Sequence, residues 1–296
     1  MKRQGKDEKM PVFYNRATLI FNGQSKSSNQ VTGEVTPSVS MTKTAISGSY
    51  SLGDAVAYVI SIVNSGTTSI NNLTLTDDLG AYAVGNTTVV PLTYGEDSVL
   101  FYIDGVLQPA PDVSVGTGLF ISGIDIPAGS NAIIIYEAIA NSYAPLEAGS
   151  EIINTVTACG GCGDLSDSAT VPVNEAADLS ITKTISPEVI TDCLVNYTFI
   201  IQNSGNLSVT DDDDLVVTDL FDPILQDLDV TLNGDELEEG TDYTYNETTG
   251  EFATLPGVIT VDAATFTQDP VTGLITVNPG VATLTVSGRL GCSDND

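Results

Sequence analysis

Short runs in which apolar and polar residues alternate cover most of the chain. VSMTKTA (39–45), LTLTDDL (73–79), EIINTVTA (151–158), LSITKTI (179–185) and LVVTDLF (215–221) keep a period of two, the spacing that puts successive side chains on opposite faces of a strand. Turn-forming clusters such as NSGTT, NETTG and NPGV separate these runs, and no convincing stretch of helical period follows residue 35. Many short strands punctuated by turns predict an all-β protein made of antiparallel β-sandwiches. With 296 residues the chain is long enough for two domains of ordinary size.

An internal repeat sets the division. VSMTKTAISGSYSLGDAVAYVISIVNSG (39–66) matches LSITKTISPEVITDCLVNYTFIIQNSG (179–205), so Lys43 aligns with Lys183, Tyr58 with Tyr197, and the two NSG triplets with each other. LTLTDDL matches LVVTDLF, which aligns Asp77 with Asp219, and PAGSNAIIIYEA (127–138) matches NPGVATLTVSG (278–288) more weakly. Two tandem Ig-like modules are expected, a first β-sandwich over 37–174 and a second over 175–296, behind an N-terminal extension over 1–36. After IIIYEAIANSY the first module continues with APLEAGSEIINTVTA, which supplies its last strand; after ATLTVSGRLGC the second continues only with SDND. The second module is therefore expected to lack its last strand.

The extension matches the missing piece. PVFYNRATLIFNG reads as a strand, at about residues 11–22, in which Phe13, Asn15, Ala17, Leu19 and Phe21 share a face. Asn15 stands 28 residues before Lys43, and Asn154 stands 29 residues before Lys183. Strand, linker and next module thus repeat at nearly constant spacing. An incomplete sheet exposes unpaired backbone and an apolar groove, and addition of an extended segment as a new strand fills such a gap. A linker from Gly23 to Val39 spans at most roughly 55 Å, short for a return across both modules unless they pack side by side. The matched spacing instead points to the second module of another subunit, a head-to-tail homopolymer whose non-closing contact grows into a fibre. The alternatives are an intramolecular closing strand and a disordered tail. Burying Phe13, Ala17, Leu19 and Phe21 supplies roughly 5–10 kcal/mol gross at about 25 cal/mol per Å², and association entropy removes much of that.

After Lys26 the only lysines are Lys43 and Lys183. Lys43 shares parity with Val39 and Met41, and Lys183 with Leu179 and Ile181. Asp77 shares it with Leu73, Leu75 and Leu79, and Asp219 with Leu215, Val217 and Phe221. Asn154 lies between Ile152 and Val156, and Asn15 between Phe13 and Ala17. Each module thus aims a Lys, an Asp and an Asn at its core, where a lone ammonium is costly and an ion pair near break-even. One chemistry accounts for all three. An uncharged lysine amine attacks the Asn carboxamide, ammonia leaves, and an isopeptide bond remains; burial frees the amine, and a protonated Asp polarises the amide and shuttles the proton. The bonds would be Lys43–Asn154 within one chain, assisted by Asp77, and Lys183 to Asn15 of another subunit, assisted by Asp219. The plain alternatives are a buried Lys–Asp pair with the Asn bonding backbone, and a lysine reaching to the sandwich edge.

Composition narrows the function classes. Asp and Glu number 39 against 9 Lys and Arg, for a formal charge of −30, so no nucleic-acid partner and no anionic membrane surface is expected. The chain has no His and no Trp, which removes the usual triads and zinc-hydrolase sites. It shows no phosphate-binding Gly loop or dinucleotide fingerprint. No enzyme beyond single-turnover self-crosslinking, no cofactor and no metal are expected. Cys159 and Cys162 form a CxxC, a weak signal by itself. In a seven-strand sandwich Cys292 would approach Cys159 or Cys162, so disulfides among these and Cys193 would lock the junction or neighbouring chains, with free thiols as the alternative. The run Asp211–Asp214 reads as a solvated loop, with weak calcium binding as the alternative. MKRQGKDEKM has no apolar stretch behind it and is not a secretory signal, so the chain is expected to be made in a cytoplasm or mother cell and released by another route.

The phrases SITKT…VNYTFIIQNSG…LVVTDLF and INTVTA resemble the conserved bacterial repeat family known as domain of unknown function eleven, over nearly the whole chain. That resemblance implies stacked β-sandwiches in Gram-positive surface proteins. The YNRATL opening is similar to clostridial spore-appendage components, which implies assembly in the mother cell and release on lysis. The expectation is therefore a structural fibre subunit on a spore surface or outside the cell, with further lateral fibre contacts. The rival is an adhesin or binding module recognising carbohydrate or a host protein.

Overall fold

The computed structural model describes residues 12–34, 38–159, 165–188 and 193–291. At the N-terminal side the chain folds on itself. β1 (Val12–Asn15) and β2 (Thr18–Phe21) run out to a turn, and β3 (Gln24–Ser27) and β4 (Val31–Glu34) run back. Asn22 and Gly23 at the turn have φ of 48° and 75°, the left-handed pair that a two-residue hairpin needs and that Asn-Gly adopts at least cost. β1 pairs β4 with Phe13 opposite Gly33 and Asn15 opposite Val31; β2 pairs β3 with Thr18 opposite Ser27 and Phe21 opposite Gln24. Between these two ladders the return strand holds one more residue than the outgoing one, a bulge, pinned where Ser28 N–H donates to Ala17 O at 2.8 Å and Ala17 N–H to Ser28 Oγ at 2.9 Å.

This corrects the reading of residues 11–36 as a strand plus linker: within the described residues 12–34 the presumed linker carries a return strand, and the strand expected to be donated is one arm of a hairpin. Because the extra residue lies on the return strand, the outgoing arm keeps its period of two. The hairpin packs on neither sandwich. Phe13, Leu19, Ile20, Phe21 and Val31 are all more than half exposed, a large unpartnered apolar surface for one small element.

The first sandwich contains β5 (Val39–Ala45), β6 (Ala55–Asn64), β7 (Ile70–Asp77), β8 (Tyr82–Val84), β9 (Thr87–Val89), β10 (Leu92–Tyr94), β11 (Leu100–Ile103), β12 (Val106–Leu107), β13 (Asp112–Val115), β14 (Leu119–Ile126), β15 (Asn131–Ala140), β16 (Glu151–Cys159) and β17 (Leu165–Pro172). One sheet runs β12-β11-β15-β6-β5, with β10 also on β15; the other runs β13-β14-β7-β16-β17. The inward positions of the alternating runs meet between them: Tyr58 and Ile60, Leu73 and Leu75, Ile121, Ile134 and Val156 are fully buried. The segment expected to supply one closing strand supplies a hairpin. β16 pairs β7, with Val156 opposite Asp77, and β17 pairs β16, with Asn154 opposite Ala169. β17 also covers the outer edge of β5, where the Lys43 N–H donates to Asp167 Oδ2 at 2.6 Å.

The second sandwich contains β18 (Leu179–Ser186), β19 (Leu194–Asn203), β20 (Thr218–Leu220), β21 (Leu225–Leu232), β22 (Asp235–Glu236), β23 (Tyr243–Tyr245), β24 (Glu251–Thr254), β25 (Thr265–Gln268), β26 (Ile275–Asn278) and β27 (Gly280–Leu290). Its larger sheet runs β18-β19-β27-β21-β22 and its smaller one β20-β24-β23, with β25 and β26 paired apart. The NSG triplets do the same work in both copies. Asn64 Nδ2 donates to the Thr68, Ile126 and Pro127 carbonyls at 3.0, 3.2 and 3.0 Å, and Asn203 Nδ2 to those of Leu207 and Asp262 at 2.7 and 3.1 Å.

The copies differ at one side. Among the described residues β20 is paired only with β24 and β18 only with β19, so the edges equivalent to those that β16 and β17 cover are open. Every residue of β18 is exposed, whereas the inward residues of β5 are not. Amide hydrogen exchange on dilute, unassembled protein should therefore separate the two copies: the Lys43 amide, bonded to Asp167, exchanges slowly, and the amides of Lys183 and Ile185 exchange at least tenfold faster. Equal protection of β5 and β18 would mean that the second sandwich is already closed.

Candidate crosslinking sites

In the first sandwich, alternation along β5, β7 and β16 carries Lys43, Asp77 and Asn154 inward, and all three are buried. Lys43 reaches from one sheet to the other, its Nζ donating to Asp77 Oδ2 at 2.6 Å with both side chains enclosed. Tyr136 on β15 donates its hydroxyl to the same Oδ2 at 2.6 Å, and Asn154 Nδ2 donates to the Tyr136 oxygen at 2.9 Å. Asp77 Oδ1 accepts the Leu79 N–H at 3.0 Å. A continuous chain of hydrogen bonds thus joins lysine, aspartate, tyrosine and asparagine.

One oxygen of the carboxamide is left over: Asn154 Oδ1 is buried with no hydrogen-bond partner. Such an orphaned acceptor costs about 1–3 kcal/mol. Burial lowers the Lys43 pKa, with the Asp77 charge opposing it. Burial, with the Asp77 charge adding to it, pushes the Tyr136 phenol well up, so its hydroxyl keeps its proton and bridges carboxylate and carboxamide. Amine, carboxylate and carboxamide held together in a dry core are the groups that amide exchange requires.

The second sandwich repeats half of this. Lys183 and Asp219 form a hydrogen-bonded ion pair between the sheets. Rings of Tyr197, Phe199 and Phe221 surround the Lys183 ammonium, with centroids at 4.5, 5.3 and 5.2 Å. The Lys183 and Asp219 side chains are 39% and 17% exposed, against 0% for both Lys43 and Asp77. Val286 sits opposite Tyr197 where Tyr136 sits opposite Tyr58, so Tyr136 has no counterpart beside Asp219. Asn15 is on the exposed hairpin opposite Val31 and forms no hydrogen bond with Lys183 or Asp219 within the chain. Beside the pair, a groove of about 310 Å³ opens between β18 and residues 215–218, lined by Leu179, Ile181, Ile201, Leu215 and Val217.

Other expected features fall elsewhere. Cys159 is a free, exposed thiol, with Ala158 at the inward position at the end of β16; the other expected approach, of Cys292 to Cys162, lies outside the described residues. Cys193 is disulfide-bonded; Cys162 and Cys292 lie outside the described residues. Asp211–Asp213 form a short exposed turn in which Thr210 N–H and Oγ donate to Asp213 Oδ2 at 2.7 and 3.0 Å, holding that carboxyl below its usual range. No group of His, Cys, Asp and Glu suited to a metal ion occurs among the described residues, and no described helix is long and apolar enough to cross a membrane. The alternation left out two participants, Tyr136 and Asp167. The first had a signal: IIIYEA places Tyr136 in register with apolar Ile134 and Ala138, and a core-facing tyrosine needs a partner for its hydroxyl.

No protein-family model matches the chain, and no curated protein matches it. Solved structures similar to it include the major pilin subunit BcpA of Bacillus cereus, at 10% identity over 95% of this chain and 75% of that one, with a TM-score of 0.36. The full-length pilus protein RrgB of Streptococcus pneumoniae matches at 13% identity over 93% of this chain and 46% of that one, with a TM-score of 0.35. The collagen-binding subdomain of the Enterococcus faecalis surface protein ACE matches at 10% identity over 47% of this chain and 99% of that one, with a TM-score of 0.31. At TM-scores this low no property of those proteins is carried over.

In an Asn154→Ala background, where Lys43 and Asp77 stay an uncrosslinked pair, Lys43→Met strands a carboxylate in the core and should cost about 3–5 kcal/mol in denaturant unfolding, while Lys43→Met combined with Asp77→Leu should recover most of that loss. Additive losses in the double variant would show that the two residues are not coupled.

Proposed function

We propose that this chain is the structural subunit of an extracellular or spore-surface fibre, joined head to tail by donation of its N-terminal strand into the second sandwich of another copy, and sealed by Lys–Asn isopeptide bonds. The observation that carries this reading is the contrast between two copies of one module. The same Lys–Asp pair is enclosed where β16 supplies an asparagine, and open where no equivalent strand is present among the described residues. The exposed outgoing arm of the hairpin offers the matching text, with Asn15 set between Phe13 and Ala17 as Asn154 is between Ile152 and Val156.

The chemistry proceeds without an external reagent. Lys43 passes a proton to Asp77, and the neutral Nζ attacks Cγ of Asn154. The Nζ–Cγ bond forms, the Cγ–Nδ2 bond breaks, and the second Nζ proton leaves with Nδ2 as ammonia. An amide and a neutral carboxyl replace the ion pair, which removes the charge from the core. Lys183, Asp219 and the incoming Asn15 repeat the sequence across the subunit boundary. There the site is completed only on docking: insertion of the strand excludes water from a lysine that is open beforehand, so assembly precedes the bond.

Assembled protein boiled in reducing detergent should run as a ladder of multimers, each lighter than the sum of its chains by one ammonia per bond. Asn15→Ala should assemble yet run as a single band carrying only the internal bond; an unchanged ladder would exclude Asn15 as the partner. Burial lowers the Lys43 pKa and so favours transfer of its proton to Asp77, which leaves the proton count of the pair unchanged. The ammonia-loss mass of freshly folded Asn15→Ala should thus appear no faster at pH 8 than at pH 6; a rate that rises with pH would show that the proton leaves to solvent and would contradict its transfer to Asp77.

A further inference from the structure

The donated element was read from sequence as a single strand. We infer that it is the whole hairpin, residues 12–34 of a second copy of this chain, and that its return arm closes the larger sheet while its outgoing arm closes the smaller one. This rests on the fibre reading and specifies its contact surface.

The first sandwich shows what a closed copy requires. It is completed by two strands: β16 pairs β7, and β17, paired to β16, covers the edge of β5 through Asp167. Among the described residues the second sandwich is open at both equivalent places, β20 and β18. Ile181 and Leu179 on β18 are 57% and 40% exposed, whereas Val39, aligned with Leu179, is 8% exposed. A single strand laid on β20 would leave β18 and the groove beside it uncovered.

The N-terminal hairpin has the form of the β16–β17 hairpin. Setting Asn15 on Asn154 places Phe13 on Ile152 and Ala17 on Val156. The cross-strand neighbours then correspond: Val31, opposite Asn15, falls on Ala169, opposite Asn154, and Gly33, opposite Phe13, falls on Val171, opposite Ile152. The change from Ile and Val to Phe and Gly keeps the sum of the pair, one large ring over no side chain. A Cβ built on Gly33 would lie 2.3 Å from Phe13 Cζ, so the ring already occupies the space that Val171 fills in the other copy. The face carrying Phe13, Asn15, Ala17, Leu19, Phe21 and Val31 is the one that would turn inward. Pairing its outgoing arm with β20 and laying its return arm along β18 converts exposed apolar area on both partners into core.

The experiment compares one substitution on each arm in the full chain, Leu19→Asp on the outgoing arm and Val31→Asp on the return arm, with Ser25→Asp on the opposite face as control. All three sites are exposed in the monomer, so the sandwiches keep their stability, which thermal unfolding of each variant checks. Fibre yield is read by sedimentation and electron microscopy, and exchange at the Lys183 and Ile185 amides by mass spectrometry of the assembled material. Hairpin donation predicts at least tenfold loss of assembly in both Leu19→Asp and Val31→Asp, none in Ser25→Asp, and slowed exchange along β18 in wild-type fibres. Loss in Leu19→Asp alone, with β18 still exchanging freely, overturns the hairpin and leaves single-strand donation standing. Normal assembly of both overturns strand donation itself, together with this inference.

Discussion

A lysine and an aspartate between two apolar sheets are tolerable only when they find each other and the walls around them are shut. That constraint organises this molecule. In the first sandwich the walls are shut by β16 and β17, and the pair gains a tyrosine and an asparagine as neighbours. In the second sandwich the same pair looks out through an open side, its lysine held by three rings but still reached by water. Among the described residues only the first copy carries a hairpin at this place, and its ion pair is the enclosed one.

Most of the architecture was legible because alternation is a local signal with a global consequence. Val39, Met41 and Lys43 had to face one way, and Leu73, Leu75 and Asp77 had to face them, whatever lay between. The repeat then carried the assignment from one module to the other. The return arm of the N-terminal hairpin was not legible because QSKSSNQVTGE has almost no apolar residues to alternate; its pairing is dictated by the Asn22–Gly23 turn and by backbone bonds, with a bulge that breaks the period. The partnership of Asp167 with the Lys43 amide was hidden for a different reason: it is a side chain reaching a backbone edge across the gap between sheets, which no periodicity encodes. Cysteine pairing was not legible because alternation fixes only the face of each residue: it turns Cys159 to solvent beside inward-facing Ala158 and does not say which thiols meet.

Open edges and exposed apolar strands ordinarily lead to indiscriminate pairing. Here several features restrict the outcome. The formal charge of −30 makes chains repel at long range, so only a contact with matched shape and hydrogen bonding prevails. In the proposed contact the outgoing arm brings Phe13 over Gly33, a bulged return strand and an asparagine at one register, and a slip by a single residue would turn that asparagine to solvent. A covalent bond that forms only in the correct register would then make the selected contact permanent.

The central claim is that the N-terminal segment of one copy completes the second sandwich of another. Its most direct test is electron microscopy and light scattering of a chain lacking residues 1–34, prepared beside the full chain. The account predicts that the shortened chain remains a folded monomer and forms no fibres, and that the full chain forms them under the same conditions. Fibres of the same diameter from the shortened chain would contradict it.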